Sequence, residues 1–186
     1  MENKNYKLEK EYTIPYETFK EGYTAFQKKF VYPKSYITMA AFILVAIVFV
    51  AAVIEDKSQY IAYILIVICA AMAARQWYNP RKLRSELFEA VKSMGEPVYK
   101  IGVAEKYIDI STVSLPEPEE EGEEADEPAE APEPTRIPLD SSYNLAEHEK
   151  FFLMFSGKEL FYIIPKEKFN GSELEIIRKT GKTAEK

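Results

Sequence analysis

Two long apolar runs dominate the pattern of hydrophobic and polar positions. The first run, Ser35–Ile54, contains 20 residues and no charged side chain. At about 1.5 Å per residue, a helix of this length matches a hydrocarbon core roughly 30 Å thick. The second run, Tyr60–Tyr78, ends in Arg75, Gln76, Trp77 and Tyr78, which are the residue types expected at a membrane–water interface. The pattern predicts two transmembrane helices.

Only the polar residues 55–59 separate these helices, so the helices must form an antiparallel hairpin. Cytoplasmic flanks carry the excess of Lys and Arg, and the connecting loop contains only Lys57. We therefore expect a multi-pass membrane protein with both termini in the cytoplasm. The alternative is a buried core hairpin of a soluble protein. The cations at the two outer flanks include Lys28, Lys29 and Lys34 before the first helix, and Arg75, Arg81, Lys82 and Arg84 at the end of the second.

Residues 1–34 are predicted to form a cytoplasmic strand followed by an amphipathic helix. The stretch YKLEKEYTI alternates and ends at Pro15, which is typical of a strand. Four aromatic residues then recur at helical spacing, namely Phe19, Tyr23, Phe26 and Phe30. Two interpretations remain open for this helix. Its aromatic face packs on the rest of the cytoplasmic part, or its lysines contact anionic lipid headgroups.

A separate juxtamembrane helix is predicted over residues 79–95, with Asn79 as N-cap and Pro80 at its first position. From residue 97 to residue 180 the pattern changes to short strands followed by a terminal helix. A capping box of Ser172 and Glu175 marks the start of that helix, and Gly181 marks its end. The predicted fold class is an α+β membrane protein, in which a transmembrane hairpin carries a small, mainly β, partial-barrel domain capped by a C-terminal helix.

An acidic segment at residues 116–134 interrupts this β domain. It carries ten carboxylates, five prolines and no basic residue. Such a composition cannot bury enough apolar surface to offset its ordering entropy, so we expect a disordered insertion. Three interpretations remain open. The segment binds a basic partner, it is repelled by anionic lipid and so holds one face of the domain away from the membrane, or it is a solubilising insertion without a partner.

Few residues are suited to catalysis or to metal binding. Cys69 is the only cysteine and His148 the only histidine, so we expect no disulfide, no metal site and no cofactor. The sequence contains no nucleophile-elbow or P-loop motif. The apolar runs lack the ionisable groups that pumps place near the bilayer midplane, and the excess cations lie beside the membrane, which disfavours nucleic-acid binding.

Lys166 and Lys168, in the stretch IIPKEKF, are candidate ligands for a phosphate or a lipid headgroup. They follow Pro165 at the end of a predicted strand, so their positions would be fixed. The competing interpretation is a structural corner in which Pro165 ends the strand and Phe169 enters the core.

The segment 147–179, EHEKFFLMFSGKELFYIIPKEKFNGSELEIIRK, resembles the C-terminal domain of the YcxB-like family of bacterial membrane proteins. The N-terminal stretch YTIPYETF and the two apolar runs are similar to that family as well. The resemblance implies a cytoplasmic module of the pleckstrin-homology type and a location in the bacterial inner (cytoplasmic) membrane. The acidic segment departs from the family pattern.

Together these features predict a membrane-anchored cytoplasmic interaction module that binds protein or lipid and has no catalytic role. The expected partners are membrane lipids, an unidentified protein and a second copy of the chain, with Ala70 and Ala74 as small residues that permit close helix approach. The alternatives are a membrane-bound enzyme with its site between domain and bilayer, and a small pore or transporter subunit formed by oligomerised hairpins.

Overall fold

The computed structural model describes residues 5–114, 134–157 and 160–183. The acidic segment predicted at 116–134 therefore lies outside the described residues, apart from Pro134. The chain divides into two compact units, one formed by Met1–Tyr23 with Ala90–Lys186 and the other by Thr24–Glu89.

The first unit contains two antiparallel sheets. One is four-stranded, in the order β1-β2-β3-β4, and the other is three-stranded, in the order β5-β6-β7. In the described part of the chain, β4 and β5 belong to different sheets, so no closed barrel forms. The strands are β1 (Leu8–Thr13), β2 (Val98–Val103), β3 (Tyr107–Ser114), β4 (Thr135–Pro138), β5 (Tyr143–Glu147), β6 (Phe151–Ser156) and β7 (Leu160–Pro165).

The helical elements confirm the predicted α+β class, since the chain contains two long apolar helices in addition to the antiparallel sheets. A π-helical turn, Gln27–Val31, joins the first two helices, so the backbone is helical from Tyr16 to Glu55. A single turn of 3-10 helix spans Lys166–Lys168. The α-helices are α1 (Tyr16–Phe26), α2 (Tyr32–Glu55), α3 (Tyr60–Met94) and α4 (Gly171–Thr183).

Strand β1 belongs to the same sheet as the strands that follow the apolar helices. It pairs with β2 along its whole length, from Leu8 opposite Val103 to Thr13 opposite Val98. The segment 97–180, which the sequence indicated as the β domain, thus lacks one of the strands of its own sheet. Residues 14–97 form an insertion between two neighbouring strands.

The two sheets and α4 share one hydrophobic core. Ile101 and Ile108 of the first sheet, Phe152 and Ile164 of the second, and Ile177 of α4 are almost completely buried within one cluster. The Tyr143 and Thr180 hydroxyl groups lie 2.7 Å apart in a buried hydrogen bond that fixes α4 against β5. The terminal helix therefore covers the apolar faces of the sheets, as the sequence predicted.

The predicted capping box of α4 is wrong by two residues. Asn170 is the N-cap: its Oδ1 accepts from the Glu173 amide at 2.9 Å, and Glu173 Oε2 accepts from the Asn170 amide at 2.8 Å. Burial of Phe169 in the core places the helix start directly after it. Gly181 does not end the helix, since α4 continues to Thr183. Instead, a Cβ at position 181 would lie 3.1 Å from Leu145 Cβ, so a glycine permits close packing there.

Helix α1 covers the outer face of β7. A Cβ added at Gly22 would lie 2.5 Å from Ile163 Cδ1, so only a glycine lets the helix approach this closely. The rings of Tyr23 and Phe161 meet with centroids 5.8 Å apart. At this position, the predicted aromatic face of the N-terminal helix packs on the β domain.

The predicted break between the second apolar helix and a juxtamembrane helix at 79–95 is wrong. Helix α3 is continuous for 35 residues and contains Pro80 in its interior. Its end is as predicted, because Gly95 follows Met94 with φ of 76°, the left-handed conformation typical of a residue just past a helix. The reason why the helix passes through a proline lies in its contacts with α2.

Candidate functional site

Helices α2 and α3 are long and apolar enough to span a membrane. Their apolar windows have mean hydropathies of 3.0 and 1.5, and almost none of these residues is buried. Side chains such as Ile37, Ile54 and Ile61 are more than 70% exposed. This composition and exposure suggest a membrane protein. The helices are joined by a tight turn in which Asp56 Oδ1 accepts from both the amide and the hydroxyl group of Ser58.

Small residues of α3 form the buried side of the hairpin. Among the described residues of this helix, Ala62, Cys69 and Ala73 are less than 9% exposed. Ala70 and Ala74, which the sequence suggested for close helix approach, are exposed on the other side. The hairpin thus leaves these two alanines on its outer surface.

Polar contacts hold the two helices together at the base of the hairpin, which is the end opposite the Asp56–Gln59 turn. Pro80 has no amide hydrogen, so the carbonyl of Gln76 one turn earlier lacks its usual helical donor. The Ser35 hydroxyl of α2 donates to that carbonyl. This contact explains why α3 continues through Pro80.

A second buried contact lies one turn away. Gln27, in the π-helical turn, is completely buried, and its Nε2 donates to the Pro80 carbonyl at 3.0 Å. The Tyr32 hydroxyl donates to Gln27 Oε1 over a longer distance of 3.3 Å. The irregular turns of the two helices therefore face each other and satisfy each other's polar groups. Gln27 and Ser35 were not predicted from the sequence, and a proline in an otherwise helical pattern is the signal that could have indicated them.

Seven cations surround this base, and we call them the basic collar: Lys28, Lys29, Lys34, Arg75, Arg81, Lys82 and Arg84. Lys82 pairs with Glu86 at 3.5 Å. Within the part of the chain that the structure describes, Lys28, Lys34, Arg75, Arg81 and Arg84 form no ion pair. The β domain differs, because six of its cations lie within 3.0 Å of a carboxylate: Lys10, Lys100, Arg136, Lys150, Lys166 and Arg178. Five collar cations thus carry positive charge that no carboxylate among the described residues neutralises.

The two lysines predicted as ligands at the end of β7 differ in their surroundings. Lys166 Nζ lies 2.8 Å from Glu147 Oε1 and 4.9 Å from the centre of the Phe152 ring. Arg178 of α4 donates to the same carboxylate at 2.7 and 2.9 Å and also pairs with Glu175. Lys168 lies 4.0 Å from Glu167. Lys166 is therefore part of an ionic cluster joining β5, the 3-10 turn and α4.

The four-stranded sheet carries a polar groove of about 210 Å³ on its outer face. Asp109 at its floor is only 5% exposed; its carboxylate accepts from the Tyr6 hydroxyl at 2.7 Å and from Arg136 Nε at 3.0 Å. Burial, followed by this hydrogen bond, raises the pKa of Tyr6. Glu9 and Lys100 pair at 2.7 Å on the rim. Sequence reasoning missed Asp109, although a lone carboxylate within the apolar strand YIDIST was a usable signal.

No group of three or more His, Cys, Asp or Glu side chains suited to a metal ion occurs among the described residues. His148 stacks on Phe151 with ring centroids 4.6 Å apart. Comparisons of the chain with protein-family models, with curated proteins and with solved structures found no match.

The hydrogen bond from Ser35 should stabilise the hairpin, because Pro80 removes the backbone donor that the Gln76 carbonyl would otherwise have. We expect Ser35→Ala to lower the free energy of unfolding by about 1–2 kcal/mol, since it leaves the Gln76 carbonyl without a donor. Pro80→Ala supplies a backbone donor, so Ser35→Ala should cost clearly less in that background. Unfolding in mixed micelles by titration with dodecyl sulfate measures both values. Thr38→Ala is the control, because its hydroxyl bonds only within α2. Additive costs for the two substitutions would contradict this account.

The Glu147 cluster should stabilise the protein in a pH-dependent way. Hydrogen bonds from Arg178 and then Lys166 lower the pKa of Glu147 from 4.5 to about 2. Stability from a lowered pKa is complete above the unfolded value and is lost as the pH falls from 4.5 towards 2. Since the Glu147 side chain is 40% exposed, solvent screening limits this contribution to about 1 kcal/mol.

We therefore expect Glu147→Gln to lower the free energy of unfolding at pH 7 and to have a much smaller effect near pH 2.5. Urea unfolding of the full chain in detergent, followed by near-ultraviolet circular dichroism, measures this difference. Glu167→Gln, which removes a carboxylate from a single long pair, is the control. An effect of Glu147→Gln that is equal at both pH values would be inconsistent with the cluster.

Proposed function

We propose that the chain is a membrane-anchored interaction module of the YcxB-like type. In this proposal α2 and α3 cross the cytoplasmic membrane, both termini lie in the cytoplasm, and the β domain binds protein or lipid without catalysis. The two sheets capped by α4 are compatible with the pleckstrin-homology-type partial barrel that the family resemblance implies.

The observation that carries the proposal is the insertion of the helical hairpin between β1 and β2. These strands pair over six residues, so both must lie on the same side of any membrane that the helices cross. Only an even number of crossings fulfils this condition, and α2 and α3 supply two. The strand register thus supports a hairpin that enters and leaves the bilayer on one side.

Charge supports the same orientation. The basic collar lies at the base of the hairpin, whereas the opposite turn contains Glu55, Asp56 and Lys57 and thus has a slight negative charge. Cations near an anionic membrane surface contribute about 1 kcal/mol each. Anionic headgroups would supply counter-ions for the five collar cations that form no ion pair within the described residues: Lys28, Lys34, Arg75, Arg81 and Arg84.

The polar groove around Asp109 favours an interaction role for the β domain. Its ionic groups occur as pairs, Glu9 with Lys100 and Asp109 with Arg136, and it also contains the Ser111 side chain. A groove with balanced charges and several hydrogen-bonding groups suits a polar peptide segment better than a strongly charged ligand. We therefore favour a protein partner for this groove.

Cysteine labelling tests the topology. In a Cys69→Ala background, Lys57→Cys in the turn should react with a membrane-impermeant maleimide added to intact spheroplasts. Ser93→Cys near the end of α3 should react only after the membrane is permeabilised. Labelling of both positions, or of Ser93→Cys alone, in intact spheroplasts would contradict the proposed orientation.

Photo-crosslinking in cells tests the interaction role. A photoreactive phenylalanine analogue replacing Ser111 in the groove should form an adduct with another polypeptide. The same analogue at Asn144, which is exposed on β5 and outside the groove, is the control. Adducts that form equally from both positions, or only within the chain itself, would count against a docking groove.

A further inference from the structure

Arg81 stands out within the basic collar because aromatic rings hold its guanidinium group. Its Cζ lies 4.2 Å from the centre of the Trp77 ring and 5.9 Å from that of Tyr32. Its Nη1 donates to the Trp77 carbonyl one helical turn earlier. Arg81 is therefore held on two sides, whereas a lysine on a surface helix samples many rotamers.

A hydrogen bond and a ring contact fix the position of the Tyr32 ring. Its hydroxyl group donates to Gln27, and Gln27 donates to the carbonyl of Pro80, the residue that precedes Arg81. The ring also stacks on Tyr36, with centroids 6.0 Å apart. The buried contacts between the π-helical turn and Pro80 thus position one wall of the Arg81 site.

The guanidinium group retains donors for a ligand. Arginine has five N–H donors, and within the described residues Arg81 uses one of them on Trp77 and forms no ion pair. A fixed guanidinium fork binds the two oxygens of a phosphate group in a bidentate manner. The arrangement therefore suits an anion with two neighbouring oxygens.

The surroundings of Arg81 favour a phospholipid as the source of such an anion. Trp77 and Tyr36 are 50% and 44% exposed and lie where the apolar surface of the hairpin ends. Such amphipathic rings are suited to the headgroup level of a bilayer. We propose that Arg81, between Trp77 and Tyr32, is a binding site for the phosphodiester of an anionic phospholipid, and that Gln27 is a positioning residue for it. This proposal rests on the membrane anchoring proposed above.

Lipid titration of the full chain in a nonionic detergent tests the site, because a neutral micelle lacks the surface charge of a membrane. Native mass spectrometry would compare the retention of phosphatidylglycerol with that of phosphatidylcholine. Arg81→Lys keeps the charge but removes the fork, and we expect it to weaken phosphatidylglycerol binding about tenfold. Arg84→Lys is the matched control, because Arg84 belongs to the collar but has no ring contact within the described residues. It should change binding less than about twofold.

Two further variants distinguish the contribution of the Tyr32 ring from that of Gln27, which positions it. Tyr32→Leu removes one wall of the site, and Gln27→Leu removes the contact that positions it. Each should weaken phosphatidylglycerol binding about threefold to tenfold. Tyr36→Leu, which leaves both rings around Arg81 intact, should have a smaller effect than Tyr32→Leu.

Several outcomes would overturn the proposal. Equal losses for Arg81→Lys and Arg84→Lys would indicate general charge attraction, and no loss for either would exclude an Arg81 site. Full competition by soluble glycerophosphoglycerol would indicate phosphate recognition without a lipid. Carbonate extraction of cell membranes keeps the two proposals distinguishable. A wild-type chain that is extracted would refute the anchoring itself, whereas an integrated chain with unaltered lipid preference in Arg81→Lys would refute only the site.

Discussion

The pairing of β1 with β2 sets the architecture of the chain. It brings Thr13 and Val98 together as neighbours and so closes residues 14–97 into one very long connection between adjacent strands. Loop-closure entropy grows only slowly with length, by about 0.6 kcal/mol for each doubling. A helical hairpin shortens the distance that the connection must bridge, because two antiparallel helices return the chain close to its starting point. The sheet can therefore accept an insertion as long as a small domain.

Hydrogen-bond satisfaction explains the unusual backbone at the base of the hairpin. A π-helical turn in one helix and a proline in the other each disturb the regular pattern of backbone hydrogen bonds. Near an apolar environment an unpaired carbonyl is costly. Ser35 and Gln27 each supply a donor to a carbonyl of α3. Two local irregularities thereby become a specific connection that fixes the helices relative to one another.

The sequence predicted elements well where the signal was periodic. Alternation in YKLEKEYTI and an uncharged run at Ser35–Ile54 indicated a strand and a helix that the structure contains. Predictions from local sequence were wrong where a residue distant in the chain changed the position at which a helix begins. Asn79 and Pro80 have the composition of a helix start, but the Ser35 hydroxyl, 41 residues before Gln76, supplies the donor that the Gln76 carbonyl lacks. Ser172 and Glu175 match a capping box, but burial of Phe169 moves the start to Asn170. The polar groups of Gln27 and Asp109 could not be assigned a role, since their partners come from other elements.

The position of β1 also sets the order of events during synthesis. This strand leaves the ribosome before the apolar helices, whereas β2 is completed only after both helices have been made. At typical rates of about 5–20 residues per second, β1 waits roughly ten seconds for its partner. Its polar outward residues, Glu9 and Glu11, keep the waiting strand soluble and discourage pairing with other chains. The first sheet therefore closes only after both long helices have been made, and a chain that stops within residues 14–97 retains β1 without its partner strand.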